Sequence, residues 1–244
     1  MTYELYYWPG IQGRGEFVRL ALEEAGAAYF DMARERGPGR GVAAMIKLLK
    51  DDGDGLAPFA PPFLRDGDIV VSHVANILAY LAPRLGLAPP TEALRLFAHS
   101  LQLTVTDFVA EVHDTHHPIS NDLYYEDQKK EAEARARAFL DHRLPKYLGY
   151  FERVLESNRD GPGHAVGAAL TPVDLSLFQV AEGLRYAFPN AMAKFAAQYP
   201  RLAALRDGVA ARPRIAAYLA SPRRLPFNED GIFRHYPELD RRAE

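Results

Sequence analysis

Tyr6-Tyr7-Trp8-Pro9, followed by Gly13-Arg14-Gly15-Glu16, sets a phenol at the end of an aromatic, β-prone run and a guanidinium at the start of a helical one. A phenol so placed can donate a hydrogen bond to an anion, and a group whose charged form is stabilised in this way ionises more readily. The chain contains no cysteine. Disulfides, thiolate metal sites and protein-thiol nucleophiles are therefore excluded, and any sulfur must arrive with a ligand. Arg14 at the helix start adds positive field, while strand alternation turns Tyr6 to the opposite face, into the core.

Two other constellations carry weaker signals. Gly10, Gly13 and Gly15 lie between a strand and a helix, but in the order G-x-x-G-x-G rather than G-x-G-x-x-G, and no acidic residue follows a second parallel strand, so a dinucleotide-binding loop is not expected. His113, His116 and His117 stand at i, i+3 and i+4 near a helix end, a spacing a metal can bridge. No other histidine or carboxylate is placed to complete such a site and Pro118 closes the helix. The expectation is a surface or pocket-lining cluster, with no metal.

The elements that must position these residues fall into two kinds. A strand over 3–8, a helix over 14–25 with Gly26 just past its end, and a second strand over 28–33 precede a Gly- and Arg-rich loop and a short helical piece over 42–50. Then comes a Pro-containing hairpin over 56–71 turning at Asp66-Gly67-Asp68, and a helix over 74–82 that Ser72 can cap. After Pro83, Gly86, Pro89 and Pro90 nearly everything has helical period: 91–117, 126–157, 172–188 and 201–220. The sequence thus predicts a small α/β unit over 1–83, a stiff linker over 84–90 and an all-helical unit over 91–244, whose tail beyond 222 carries Phe227, Ile232, Phe233 and Tyr236 for packing. Alternating strands and helices do not continue, which argues against a doubly wound nucleotide fold.

Composition narrows the partners. With 244 residues, 48% of them hydrophobic, the chain can bury a real core. The balance of 29 basic against 32 acidic side chains, with no basic block, gives no phosphate-neutralising surface, so nucleic acid is not expected as a partner. The first residues carry Glu4 and no positively charged leader, and the longest apolar stretch, 69–82, stops well short of the ~20 residues a membrane span needs. A cytoplasmic protein without membrane contact is expected.

The order strand, helix, strand, loop, proline hairpin, helix and helical domain resembles the cytosolic glutathione S-transferases of the tyrosine type, with a sigma-, alpha-, mu- or pi-like N-terminal motif. The resemblance covers nearly the whole chain. It implies a thioredoxin-like α/β domain holding glutathione and an all-α domain that helps hold a hydrophobic electrophile, in a cytoplasmic homodimeric detoxification transferase. Tyr7 then matches the tyrosine that faces the glutathione sulfur, and Arg14 matches the arginine of the Gly-Arg-x-Glu segment. One extra residue stands between them, within Trp8-Pro9-Gly10-Ile11-Gln12, which can set Trp8 and Ile11 along the electrophile pocket. Pro61-Pro62-Phe63-Leu64 matches the cis-proline segment whose preceding residue meets the cysteinyl part of glutathione; here that residue is Pro61, which has no N–H to give. Ser72-His73-Val74 stands where the family has Gln-Ser at a helix start receiving the γ-glutamyl carboxylate, so His73 replaces the Gln and Val74 the Ser. Lys47, after Met45-Ile46, matches the lysine on the glycyl carboxylate. Leu170-Thr171-Pro172-Val173-Asp174-Leu175 matches a capping box before the family's central helix. The resemblance also sets Glu111, His113 and His116 beside the electrophile pocket. A non-catalytic binding protein on the same fold, and a glutathione-dependent isomerase or peroxidase, stay open as alternatives.

Overall fold

The computed structural model describes residues 2–50 and 57–242. Two compact units emerge, Met1–Ala88 with Arg212–Pro226, and Pro89–Ala211 with Phe227–Glu244. In the first, β1 (Tyr3–Tyr6), α1 (Gly15–Ala25), β2 (Tyr29–Asp31), α2 (Gly41–Lys50), β3 (Phe63–Asp66), β4 (Ile69–Ser72) and α3 (Val74–Arg84) follow in chain order. The strands form one mixed sheet in the order β2-β1-β3-β4, with β1 and β2 parallel and the other neighbours antiparallel. Alternation along β1 sends Leu5 into a core with Val18, Leu22, Leu64, Ile77 and Leu81, and Tyr6 into a second core with Met32, Met45 and Phe63. The hairpin is shorter than its sequence pattern: β3 begins only at Phe63, because the preceding prolines have no N–H for a ladder. Leu56, where the pattern starts, lies outside the described residues.

Ten of the eleven residues of α1 are buried. Its end is fixed by Gly26 at φ 65°, where the Gly26 N–H reaches the Glu23 carbonyl and the Ala27 N–H the Leu22 carbonyl, a Schellman closure that needs the left-handed residue.

The second unit contains α4 (Glu92–Asp114), α5 (Lys129–Ala138), α6 (Leu144–Ser157), α7 (Pro172–Ala187), α8 (Phe195–Gln198) and α9 (Pro200–Ala210). The single helix expected over 126–157 is two, joined by a π-helical turn at Phe139–Arg143. Pro145, at the start of α6, cannot donate to the carbonyl four residues back, and the wider turn absorbs the break. The α7 start is built as its sequence suggests. The Thr171 N–H donates to Asp174 Oδ2 at 2.6 Å and the Ala165 N–H to Oδ1 at 2.6 Å, so the fully buried carboxylate is satisfied at both oxygens. The tail packs here too: the Phe233 ring fills the space over Gly183 that a Cβ would occupy, Phe227 stacks on Tyr186, and Tyr236 stacks on Tyr125 with centroids 3.9 Å apart. Among the described residues no helix is long and apolar enough to cross a membrane.

The expected continuous helix over 201–220 also breaks. Arg212 precedes Pro213 and adopts φ −64°, ψ 132°, the extended conformation the proline imposes on its neighbour. The chain resumes as α10 (Pro213–Leu219), which with the residues after it belongs to the first unit and not to the helical one. There it covers the outer side of α1: Arg212 Nε donates to Glu24 at 2.8 Å, the Tyr218 hydroxyl to Glu16 at 2.7 Å, and Arg223 Nη1 to Glu23 at 2.6 Å. This is why α1 is buried almost all round.

Candidate active site

The sheet register gathers the N-terminal motifs at one place. Tyr6 pairs with Phe63, and Phe63 with Ser72. Because β3 runs antiparallel to both neighbours, the residue after Tyr6, the residue before Phe63 and the residue after Ser72 all leave the sheet at the same end. Tyr7, Pro62 and His73 therefore share one edge, although they are up to 66 residues apart in sequence. Arg14, Pro61 and Val74 adjoin them.

Tyr7 is buried, and its hydroxyl accepts a 2.8 Å hydrogen bond from the Arg14 N–H. Among the described residues that oxygen donates to no partner, which leaves its proton for a ligand. Burial raises the phenol's pKa, only partly offset by the Arg14 N–H and by the charges of Arg14 and Arg19. At neutral pH the group is a protonated donor, polarised by the hydrogen bond it accepts. The ring lies against the loop at Gly13 and Gly15: a Cβ on Gly15 would stand 2.7 Å from Tyr7 Cγ and Cδ1. Gly13 has φ 45° and approaches the ring's hydroxyl end as closely. Two small residues are thus what let the loop close over the phenol. Gly15→Ala is expected to push the ring off this seat, costing about 1–3 kcal/mol of stability from overpacking and most of any activity that needs the hydroxyl. Thermal unfolding together with an activity assay checks this; full activity would show that the seat does not matter.

Behind Tyr7 lies a charged core that the sequence motifs did not single out. Arg19 is fully buried on α1, with Nε 2.7 Å from Asp31 Oδ2 and Nη1 3.2 Å from both the Gln12 carbonyl and Glu16 Oε2. Its guanidinium carbon stands 5.9 Å from the Tyr7 ring centroid. Glu16, equally buried, also accepts from Tyr218 and Arg224. Gln12 is buried too, with its side-chain amide donating to the Leu225 carbonyl. The one available signal was Glu16 and Arg19, opposite charges one helical turn apart in an otherwise apolar run.

The remaining N-terminal residues are placed as follows. The Pro61-Pro62 peptide bond is cis. His73 is exposed and takes φ 70°, ψ 127°, a strained conformation for a residue with a Cβ. It, and not Ser72, is the N-cap of α3; Ser72 ends β4, and no side chain caps the helix. The first N–H groups of α3 thus have no capping side chain, and a helix start of this kind favours an anion. Val74 is buried, Lys47 is exposed on α2, Trp8 is 41% exposed, and Ile11 and Arg14 are half-buried.

Glu111, His113 and His116 belong to the second unit. The Glu111 carboxylate is already engaged: Arg143 Nε donates to both oxygens at 3.0 and 2.9 Å, and the Tyr147 hydroxyl donates to Oε1 at 2.8 Å. Burial disfavours its charge, but the hydrogen bonds from Arg143 and Tyr147 outweigh that and hold the carboxyl below its usual range. It ties α4 to α6, and little of its acceptor capacity is left for a substrate. His116 is 1% exposed, so it lines no open surface.

The chain as a whole has relatives among known proteins. Residues 113–222 match a family model described as the glutathione S-transferase C-terminal domain. A glutathione S-transferase of Plasmodium falciparum is 25% identical over 222 residues, 89% of this chain and 94% of that one. The glutathione S-transferase P 1 of Xenopus laevis is 28% identical across 91% of this chain and 93% of its own. The chain is similar over most of its length to glutathione S-transferases. A solved structure titled prostaglandin synthase D of Nilaparvata lugens has the same fold, with a TM-score of 0.68 at 22% identity over 93% of this chain and all of that one. The glutathione S-transferase C-terminal match stops at residue 222, so it takes in α10, the helix that packs in the first unit.

Proposed function

We propose that the chain is a transferase that works through Tyr7: the phenol donates to the sulfur of bound glutathione, favours its thiolate, and that thiolate attacks a hydrophobic electrophile. The observation that carries the reading is the protonated Tyr7 hydroxyl, fixed by the Arg14 N–H and with its own proton unspent. The carbon–sulfur bond forms as the electrophile's leaving group departs with its electron pair, and the thiol proton goes to water. In this reading the open N-terminus of α3 at His73 and Val74 receives the γ-glutamyl carboxylate. The backbone at Pro61 meets the cysteinyl part through its carbonyl alone, Lys47 serves the glycyl carboxylate, and Trp8 and Ile11 face the electrophile. The enzyme acts in the cytosol. An isomerase or peroxidase would use the same thiolate; conjugation is preferred because relatives named as glutathione S-transferases align along most of the chain.

Retention on immobilised glutathione, followed by conjugation of an aryl halide, tests the function. The expected result is elution by free glutathione and turnover of the halide; a chain that glutathione neither retains nor elutes would overturn it. The reading includes a homodimer. Phe59 is fully exposed in the first unit, and Leu96 and Phe97 are 65% and 43% exposed on α4, apolar surface that a partner subunit would cover. Light scattering at micromolar concentration should give twice the chain mass, and a monomer would contradict it.

A further inference from the structure

We propose that His113, His116 and His117 form a binding site for one divalent first-row transition ion of imidazole preference, of the zinc kind. Among the described residues this is the one group of three or more histidine or acidic side chains that could hold such an ion: one ligand atom from each lies within 4.8 Å of the others. The helix end creates the cluster. The His116 and His117 N–H groups both donate to the His113 carbonyl at 3.2 Å, which tightens the last turn and brings the three rings together, with centroids 4.8–4.9 Å apart.

The hydrogen bonds set the nitrogens for coordination. His116 Nε2 is 2.8 Å from the Ile232 carbonyl. A carbonyl only accepts, so Nε2 carries the hydrogen and Nδ1 presents a bare lone pair. That Nδ1 faces His117 Nδ1 at 2.6 Å, a separation at which the two share one proton. A carbonyl on the far nitrogen is the outer partner that orients a metal-binding imidazole. Here it is held rigidly, since Ile232 and Phe233 are buried and Tyr236 stacks on Tyr125. Tetrahedral ligands at about 2.0–2.1 Å from zinc stand roughly 3.4 Å from one another. The His116–His117 pair would open by less than an ångström and His113 would close by a little more, movements that two half-buried rings can make. His117 passes its shared proton from Nδ1 to its own Nε2, so three neutral imidazoles bind and the fourth position goes to water. Arg234 opposes the ion with its positive charge, though its Nε is tied to the Gly231 carbonyl at 2.8 Å. An ion here would clamp the end of α4 to the tail, through His116 and Ile232.

The test is calorimetric titration of the tag-free full chain with zinc chloride, and its cobalt(II) visible spectrum. One ion per chain is expected, with a tetrahedral cobalt band and a higher unfolding temperature in zinc. His113→Ala and His117→Ala, checked for fold by circular dichroism, should each weaken binding more than ~10-fold, the size of effect that even an outer-shell partner produces. His142→Ala, on an exposed side chain outside the cluster, should leave binding unchanged. Failure of the wild type to bind one zinc, or equal binding by both variants and the wild type, overturns the site.

Discussion

Tyr7→Phe is expected to lower kcat/KM for conjugation roughly 10²-fold near neutral pH, the loss typical of removing one donor aimed at a developing or standing anion. The substitution keeps the ring that fills the loop at Gly13 and Gly15 and removes only the oxygen. Its stability cost comes from the Arg14 N–H, left without its acceptor, and is expected at about 1–3 kcal/mol. The deficit should shrink as pH rises toward the ordinary pKa of a thiol, near ~8.5, because the thiolate then forms without help. Steady-state rates across this pH range check both the size and the direction. A deficit independent of pH would place the role of Tyr7 outside thiol ionisation.

Arg19→Met should have the largest effect on stability of any single substitution considered. Arg19 is fully buried and bonded to Asp31, Glu16 and the Gln12 carbonyl. Methionine fills part of the volume, but two buried carboxylates lose their shared cation. Breaking a buried pair from one side costs about 3–5 kcal/mol, far more than an exposed pair is worth. Lysine at this position would not restore it, since one ammonium cannot replace a planar fork that serves three acceptors. Urea unfolding measures the change; a loss below about 1 kcal/mol would mean that the network is solvated in solution. The same substitution removes a positive charge that lowers the Tyr7 pKa, so whatever folds should also be a weaker acid at Tyr7.

What could be read from the sequence was local. The end of α1 at Gly26, the strand that delivers Tyr7, the hairpin turn and the Thr171–Asp174 box each rest on residues within a few positions of one another. The α3 start was read less well, because a serine next to a helix signal suggests a cap whether or not its backbone is already in a strand. α10 could not be assigned to its unit. A helical apolar period says that a face will be covered, not by what, and the contacts that decide it join residues 188 to 208 positions apart. Glu111 shows the same limit: the resemblance sets it beside a pocket, but Arg143 and Tyr147, more than thirty residues on, hold its carboxylate. For the site itself, the register that joins Tyr7, Pro62 and His73 supplied what no motif contains, a common end of one sheet.

The central claim is that Tyr7 sets the ionisation of a glutathione thiol, and the most direct measurement is an ultraviolet titration of the thiolate in the binary complex. The account predicts a bound-thiol pKa below about 7.5, within the range of activated thiols, and a return toward the free-thiol value in Tyr7→Phe. Bound glutathione that ionises at the same pH in both proteins would contradict it.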